Sequence, residues 1–423
     1  MARCYSFMSE RKLPKLGMRK VLITHRYFWP DTPPYGIMLK RIAERLRDEG
    51  LNVSVFSTMP SYHGTSVKAK GSTKTINGIK VRRQPVFNER GRGAVFRLIN
   101  TLIYSISLIF QILRSRPDVV TVSTFPPVAA AVSASLACRL VNASLIYHLM
   151  DVYPEVHWIN SDRKRGIGYS ALRWVDKKVM QSAWRIVVLS QDMQDTVSKR
   201  GLNKKKVIII NNLELEPEIE LSEEDIAKRV KELTLPDGNL KIMFSGNIGI
   251  FQALDHIAKL ANKLSDRSDI HFIFLGDGRH RDHLRKILSN QLNKTVWFID
   301  YQPVAIAREL IKNVDLNLVS LSPGVSTCSF PSKTLTIASL GGAMLVLDDA
   351  ESSLSRSVQN HNAGLIFSHS QLDEMAQALC DLADNPTQIK AYQSGASNLY
   401  NKELHSDIIL ERWIHLFKSE IKK

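Results

Sequence analysis

Four short clusters in the sequence carry residue types suited to chemistry. The first is Phe244-Ser245-Gly246-Asn247-Ile248-Gly249. Gly246 and Gly249 permit a tight turn and close backbone approach to an anion, with Asn247 between them, and amides at a following helix start can face a diphosphate. An ordinary glycine-containing turn is the competing reading. The second is Gly276-Asp277-Gly278. Arg281 stands where a dinucleotide fingerprint has its third glycine. Gly276 and Gly278 still leave room for a nucleoside to lie against the backbone. The third is Phe330-Pro331-Ser332-Lys333. Lys333 beside a helix start suits the charge of a pyrophosphate leaving group, and Ser332 can add hydrogen bonds. A surface lysine beside a cap is the alternative. The fourth is Asp151-Val152-Tyr153-Pro154-Glu155. Asp151 and Glu155 suit sugar hydroxyls or the proton of an acceptor, with His148 as the neighbouring candidate base. Turn and cap chemistry before Val156 competes with that reading. Asp348-Asp349 reads as a loop. No D-x-D pair sits suitably at a strand end, so no catalytic metal is expected.

The elements that position these clusters alternate. Lys20–Thr24, Asn52–Ser57, Asp118–Val122, Ser144–Leu149, Arg185–Leu189 and Lys206–Ile210 read as strands. Leu39, Ile42, Ala43 and Leu46 recur at helical spacing between the first two, and Gly50 ends that helix. The second half repeats the plan with Leu240–Ser245, His271–Leu275, Thr295–Ile299, Val314–Val319, Ala343–Leu347 and Gly364–Phe367. Strands alternating with helices predict parallel sheets covered on both faces. The predicted organisation is a basic tail 1–17, an N-terminal Rossmann-like domain 18–212, a linker 213–239 with a short helix, a C-terminal Rossmann-like domain 240–390, and terminal helices 391–423. Ligands bind such sheets at the carboxyl ends of strands, so a cleft between the domains is the expected site.

Composition narrows the class. The 423 residues are 44% hydrophobic, enough for two α/β cores and against extended disorder. The net charge of +16 favours an anionic partner. No zinc finger, RRM signature or basic run with interleaved aromatics is present, so nucleic acid is not the expected partner. Cys4, Cys138, Cys328 and Cys380 are widely spaced, which suits a reducing compartment and gives no zinc site. Residues 1–17 lack the apolar core of a secretory signal, and Met18 is a candidate start.

Ala94–Leu113 breaks the pattern. Arg97, Asn100, Thr101, Tyr104, Ser107 and Gln111 form a polar stripe of helical period, opposite Phe96, Ile99, Ile103, Ile106, Phe110 and Leu113. Arg90, Arg92, Arg114 and Arg116 flank the segment. The stripe argues against a transmembrane helix and for an interfacial one on an anionic membrane surface, with Ile103 and Phe110 exposed. The alternative is a crossover helix buried between the sheet and its neighbours.

The FSGNIG, GDG and PSK clusters, in that order and spacing, resemble the nucleotide-sugar half of glycosyltransferase family 4. The resemblance is to its exopolysaccharide branch, which includes the colanic acid fucosyltransferases and related lipid-linked oligosaccharide enzymes. Gln252, Leu254 and Ile257 stand where that branch has a glutamine and a hydrophobic helix, and Asp151–Glu155 is similar to its D-x-W-P-E motif. The resemblance covers roughly residues 18–400. It implies the GT-B fold, two doubly wound parallel-sheet domains facing a cleft, in a bacterial enzyme of cell-surface polysaccharide synthesis. It implies a retaining transfer from a nucleoside diphosphate sugar, a co-substrate rather than a cofactor, to a lipid-linked or oligosaccharide acceptor. The enzyme would be cytoplasmic, peripheral on the inner face of the plasma membrane.

By this resemblance the donor site comprises Gly246, Asn247, Gly249, Gly276, Asp277, Gly278, Ser332, Lys333 and Thr336. Asp151, Glu155 and Lys333 carry the chemistry, and Tyr35 and Gly36 stand where the family has a glycine-rich N-domain loop. Asn211-Asn212 is similar to a hinge-side asparagine. The family's paired glutamates, spaced E-x7-E, fall on Cys328 and Thr336, neither of them acidic. Their loss keeps open a second reading, a non-catalytic GT-B scaffold or binding subunit of a polysaccharide assembly complex.

Overall fold

The computed structural model describes residues 19–31, 34–60, 73–87, 93–159, 165–214 and 221–419. The predicted basic tail, Met18, Arg90, Arg92 and part of the linker lie outside these described residues. The strands are β1 Lys20–Thr24, β2 Asn52–Thr58, β3 Thr73–Ile76, β4 Ile79–Gln84, β5 Val119–Ser123, β6 Ser144–His148, β7 Arg185–Val188, β8 Val207–Ile209, β9 Leu240–Ser245, β10 Ile270–Leu275, β11 Val296–Ile299, β12 Leu316–Ser320, β13 Met344–Leu347 and β14 Gly364–Phe367. The helices are α1 Pro34–Asp48, α2 Gly93–Ser115, α3 Ala129–Val141, α4 Glu155–Trp158, α5 Ile167–Ser182, α6 Gln191–Ser198, α7 Glu223–Glu232, α8 Leu254–Lys263, α9 Arg281–Ile287, α10 Val304–Lys312, α11 Lys333–Ser339, α12 Ser353–Asn360, α13 Leu372–Asp384, α14 Thr387–Leu399 and α15 Ser406–Ser419. All twelve predicted strands are present within a residue or two at their ends. The expected linker helix is α7.

The chain divides into two compact units. One comprises residues up to His148 with Val179–Arg185 and Leu410–Lys423; the other comprises Leu149–Lys178 and Ile186–Ile409. In the first unit β1 pairs parallel with both β2 and β5, β2 with β4, and β5 with β6. The hairpin β3–β4 was not predicted. It is the antiparallel member of this sheet, closed by Asn77-Gly78 with both φ angles positive, the two-residue turn that suits strand twist. The end of α15 belongs to this unit: Arg45 pairs with Glu411 at 2.7 Å and Lys418 with Glu49 at 2.8 Å.

Helix α2 corrects the expected stripe. Its inward face carries Asn100, Tyr104, Ser105, Leu108 and Ile112. Asn100 and Tyr104, read from sequence as part of the polar face, are thus buried. Asn100 both donates to and accepts from the backbone of Phe87, at 2.9 Å each way, and Tyr104 stacks on Phe56. The Asn100 bonds satisfy a polar group that would be costly to bury alone. The outward face is apolar: Val95, Leu98, Leu102, Ile106 and Phe110, each more than half exposed. Ile103 is half-buried, against the expectation that it is exposed. The neighbouring α3 packs its alanines inward and leaves Leu136 and Leu140 exposed.

In the second unit β9–β14 form an all-parallel sheet of order β11-β10-β9-β12-β13-β14. Counted from β9 this is the 3-2-1-4-5-6 order of a doubly wound fold, whose ligand crevice opens where the order reverses. The reversal lies between β9 and β12. These strands pair only through Ile242–Leu316 and Met243–Asn317, so they part just before their carboxyl ends. Near-continuous apolar strands such as Ile270–Leu275, buried throughout, are what a sheet covered on both faces requires.

Candidate active site

The FSGNIG turn leaves β9 at that crevice. Gly246 has φ +130°. Its amide donates to the carbonyl of Leu275 at 2.9 Å, and that of Ile248 to Asp277 at 2.8 Å. The GDG turn after β10 therefore lies directly against it. A Cβ on Gly276 would sit 2.1 Å from the Gly246 carbonyl oxygen, and one on Gly278 2.2 Å from that of Ile248. On the Cβ side of Gly276 and Gly278 the space is filled by the neighbouring turn. The amide of Gly249 is taken by the Gln252 side chain at 3.1 Å. No helix starts at once after this turn, as the sequence reading had it. Ile250–Gln252 form a short 3-10 turn, and α8 begins only at Leu254. Ser320, the last residue of β12, and Ser322 just beyond it donate to the carbonyls of Gln252 and Ile250, which fastens the turn. Asn247 and Asp277 are exposed there.

Lys333 is the first residue of α11. Its Nζ lies 3.4 Å from the centroid of the Phe244 ring and 3.7 Å from where a Cβ on Gly246 would stand. Nζ is buried and, among the described residues, has no hydrogen-bond partner. Burial holds its pKa down to about 7 from the ordinary 10.5. A buried polar group without a partner is rare and calls for an explanation, and here it stands beside a glycine turn at a strand end. Ser332 is exposed at the cap position and makes no capping bond. Thr336, one turn further along α11, is half-buried.

The DVYPE turn meets the residues just before the PSK cluster. Asp151 forms an antiparallel bridge with Ser329, and the amide of Val152 donates to the Cys328 carbonyl at 2.8 Å. Burial pushes the Asp151 carboxyl up, opposed by a hydrogen bond from Ser329. Glu155 is placed differently. Its carboxylate is held by Arg200 and by Arg173, the latter at 3.1 Å. Arg200 is fully buried and also binds Asp176 at 2.5 Å and the Tyr153 carbonyl at 2.6 Å. The geometry therefore gives Glu155 a part in fixing the turn, while Asp151 has no cationic partner among the described residues. Ser329, Arg173 and Arg200 were missed in the sequence, and no local spacing marks them.

In the first unit Tyr35 and Gly36 lie in the first turn of α1, not in a loop. A Cβ on Gly36 would meet the backbone of Tyr27 and Phe28 at 3.3–3.4 Å, so this glycine serves packing between α1 and the preceding segment. The Tyr35 hydroxyl lies 2.8 Å from His148 Nδ1. Burial holds His148 at about 3 and His25, which packs on Tyr35, at about 4. Both rings are neutral at physiological pH. Asn211 and Asn212 are buried. Asp348 follows β13 as the loop residue expected, and burial pushes its carboxyl up.

A family model described as Glycosyltransferase Family 4 matches residues 36–213, and one described as Glycosyl transferases group 1 matches residues 239–385. The chain belongs to glycosyltransferase family 4. Among relatives, it is 22% identical over 348 residues to Escherichia coli WcaI, named as a colanic acid biosynthesis glycosyl transferase, covering 80% of this chain and 85% of that one. It is 24% identical over 281 residues to Pseudomonas aeruginosa WbjE, named as a glycosyltransferase, covering 65% and 67%. Among solved structures, Anabaena HepE in complex with UDP-glucose matches with a TM-score of 0.67 and 15% identity, over 95% of this chain and 99% of that one. The fold is GT-B.

As a family 4 glycosyltransferase the chain departs from the pattern at the paired acids. Cys328 is buried, its carbonyl engaged by Val152 and its thiol pushed up to about 11 by burial. Thr336 offers a hydroxyl in place of a carboxylate. Lys333 stands beside the glycine turn as a cationic group.

Proposed function

We propose that this glycosyltransferase moves a sugar from a nucleoside diphosphate sugar to a hydroxyl of a lipid-linked or oligosaccharide acceptor in cell-surface polysaccharide synthesis. The observation that carries the reading is the unpaired, buried Lys333 ammonium beside Gly246 at the crevice of the second sheet. A diphosphate seated on the FSGNIG turn would give it the counter-charge it lacks. Relatives support the process: WcaI is named for colanic acid biosynthesis. The donor class is supported by the UDP-glucose bound to HepE.

The chemistry follows from what these residues do. As the glycosidic bond to the diphosphate breaks, negative charge grows on the leaving oxygen. Lys333 Nζ opposes that charge in a site of low dielectric. Transfer with retention then proceeds by attack from the face the leaving group departs. Asp151, its carboxyl raised by burial, takes the acceptor's proton or holds a sugar hydroxyl. Glu155 is a positioning residue, since it holds the DVYPE turn through Arg200. The donor and Asp151 fall to the second unit; the membrane face falls to the first. No resident metal is required by these steps.

The enzyme works at the inner face of the membrane, docked through α2. What supports this is the outward apolar row Val95, Leu98, Leu102, Ile106 and Phe110, joined by Leu136 and Leu140 of α3. Arg97, Arg114, Arg116 and Arg139 are exposed around it, the flank an anionic surface attracts. Residues Val95–Ser115 are long and apolar enough to cross a bilayer by composition. Their buried Asn100 and Tyr104 tie the helix into the unit instead.

The test of function is thermal-shift screening of the full chain against UDP, GDP and their sugars, with calorimetry on the best donor. One of them should raise the melting temperature. Lys333→Ala should then weaken it by about 1.5–3 kcal/mol, the worth of a charged hydrogen bond. Unchanged donor affinity in a folded variant overturns the assignment.

A further inference from the structure

The crevice residues leave one group of metal-binding side chains unused. Asp255 is the second residue of α8, His280 immediately precedes α9, and His283 lies one turn along it. His280 Nε2 is 2.8 Å from Asp255 Oδ1, and His283 Nε2 is 3.5 Å from the same oxygen. One ligand atom from each of the three residues lies within 4.8 Å of the others. The two imidazoles stand three residues apart on one helical face, which makes them neighbours; their ring centroids are 4.7 Å apart.

Backbone geometry, not side-chain attraction, brings these residues together. Asp255 comes shortly after the FSGNIG turn and His280 directly after the GDG turn. Those turns are stitched by Ile248 donating to Asp277 at 2.8 Å and by His280 donating back to Ile248 at 3.1 Å. The glycine contacts above leave no slack between them.

We propose that Asp255, His280 and His283 form a binding site for a divalent transition cation of the zinc type. Two nitrogens and one carboxylate oxygen are the donor set such borderline cations take, with solvent in the remaining position. Around a tetrahedral ion with bonds of about 2.0–2.1 Å, ligand atoms lie about 3.3 Å apart. The observed 2.8 and 3.5 Å bracket that edge. Asp255 and His283 are about half exposed, at 48% and 55% of the side chain, so an ion can enter and the side chains can adjust. A hydrogen-bonded surface pair explains His280 with Asp255 but not the placement of His283. The ion would be structural, cross-linking the starts of α8 and α9 and bracing the two turns on which the donor site is built. This last consequence rests on the donor reading; binding of the cation does not.

The experiment is titration of the metal-free full chain with zinc, and separately with magnesium, by calorimetry and by melting temperature. One zinc should bind per chain at this site and raise the melting temperature, while magnesium, which prefers an all-oxygen shell, does neither. His283→Ala changes an exposed side chain and leaves the fold intact. It should weaken zinc at least about tenfold, and Asp255→Asn likewise. Cobalt offers a second readout, since its visible absorption in the unchanged chain should report a four-coordinate nitrogen and oxygen site that His283→Ala loses. Equal zinc affinity in the variants and the unchanged chain overturns the proposal, as does binding of magnesium equal to that of zinc. If zinc binds at these residues but leaves UDP-sugar affinity unchanged, the site stands and the bracing falls. If UDP-sugars do not bind at all while zinc binding still depends on His283, the donor reading fails and the metal site survives.

Discussion

Lys333 makes donor binding a proton-linked event. Its folded pKa of about 7 means that at pH 8 about nine-tenths of the free enzyme carries a neutral amine there. A diphosphate beside Nζ restores the ammonium, because an opposite charge at contact favours the charged form. Binding should therefore take up about 0.9 proton at pH 8, about 0.5 at pH 7 and about 0.1 at pH 6. By linkage, affinity should fall roughly tenfold from pH 6 to pH 8. Stability of the donor-free chain runs the opposite way. Without donor, burial of the charge costs stability below the folded pKa, and that cost fades as pH rises from about 7 toward 10.5. The assay is calorimetry with a nucleoside diphosphate sugar, whose diphosphate diester has no proton to exchange in this range. Repeating it in two buffers of different ionisation enthalpy yields the uptake directly. Lys333→Met keeps the apolar stem over Phe244 and should abolish both the uptake and the slope. A wild-type slope that persists in Lys333→Met would refute the reasoning, because the proton would then belong to another group.

Three further outcomes follow from the packing. Gly276→Ala should cost several kcal/mol or prevent folding, since its Cβ meets the Gly246 carbonyl at 2.1 Å in a backbone conformation with φ +133°; a melting temperature within a degree of wild type would contradict the observed stitching. Glu155→Gln should destabilise by about 1–3 kcal/mol in urea titration by leaving Arg200 with Asp176 as its remaining carboxylate partner, whereas Asp151→Asn should lower turnover with little loss of stability. A Glu155 variant as stable as wild type with turnover abolished would return that residue to the chemistry. Leu102→Ser with Phe110→Ser should release the enzyme from anionic vesicles in co-sedimentation while shifting stability by no more than about 0.5 kcal/mol, since both side chains already face solvent; absence of wild-type binding at low salt would remove the docking role.

Periodicity made the sheets legible, because strands buried on both faces must be apolar throughout and their helices must alternate with them. The hairpin β3–β4 escaped because its strands are polar on one face, Lys80 and Arg82 alternating with Ile79 and Val81; Asn77-Gly78 was the available signal. On α2 the stripe was legible but its direction was not. Helical spacing defines faces, yet only the partner decides which face turns inward, and Asn100 found one in the Phe87 backbone. At the candidate site the motif residues were legible one cluster at a time. Arg200 and Ser329 were not, because they reach Glu155 and Asp151 from elements distant in sequence.

The glycines show why a motif can be right in place and incomplete in cause. Gly246, Gly276 and Gly278 lie at the strand ends where a diphosphate-binding fold wants them, but two of the three are required by the protein's own backbone. Gly276 and Gly278 admit the carbonyls of Gly246 and Ile248. That contact fixes the FSGNIG turn from behind and leaves its outer side, with Asn247 exposed and Lys333 above Phe244, as the face open to a ligand. A substitution at either supporting glycine would thus reach the donor indirectly, through displacement of the turn. A substitution at Lys333 reaches it by charge. Donor affinity measured against melting temperature separates these two routes: the glycine variants lose both together, and Lys333→Met loses affinity while its stability holds or rises, since a buried charge without a partner has been removed.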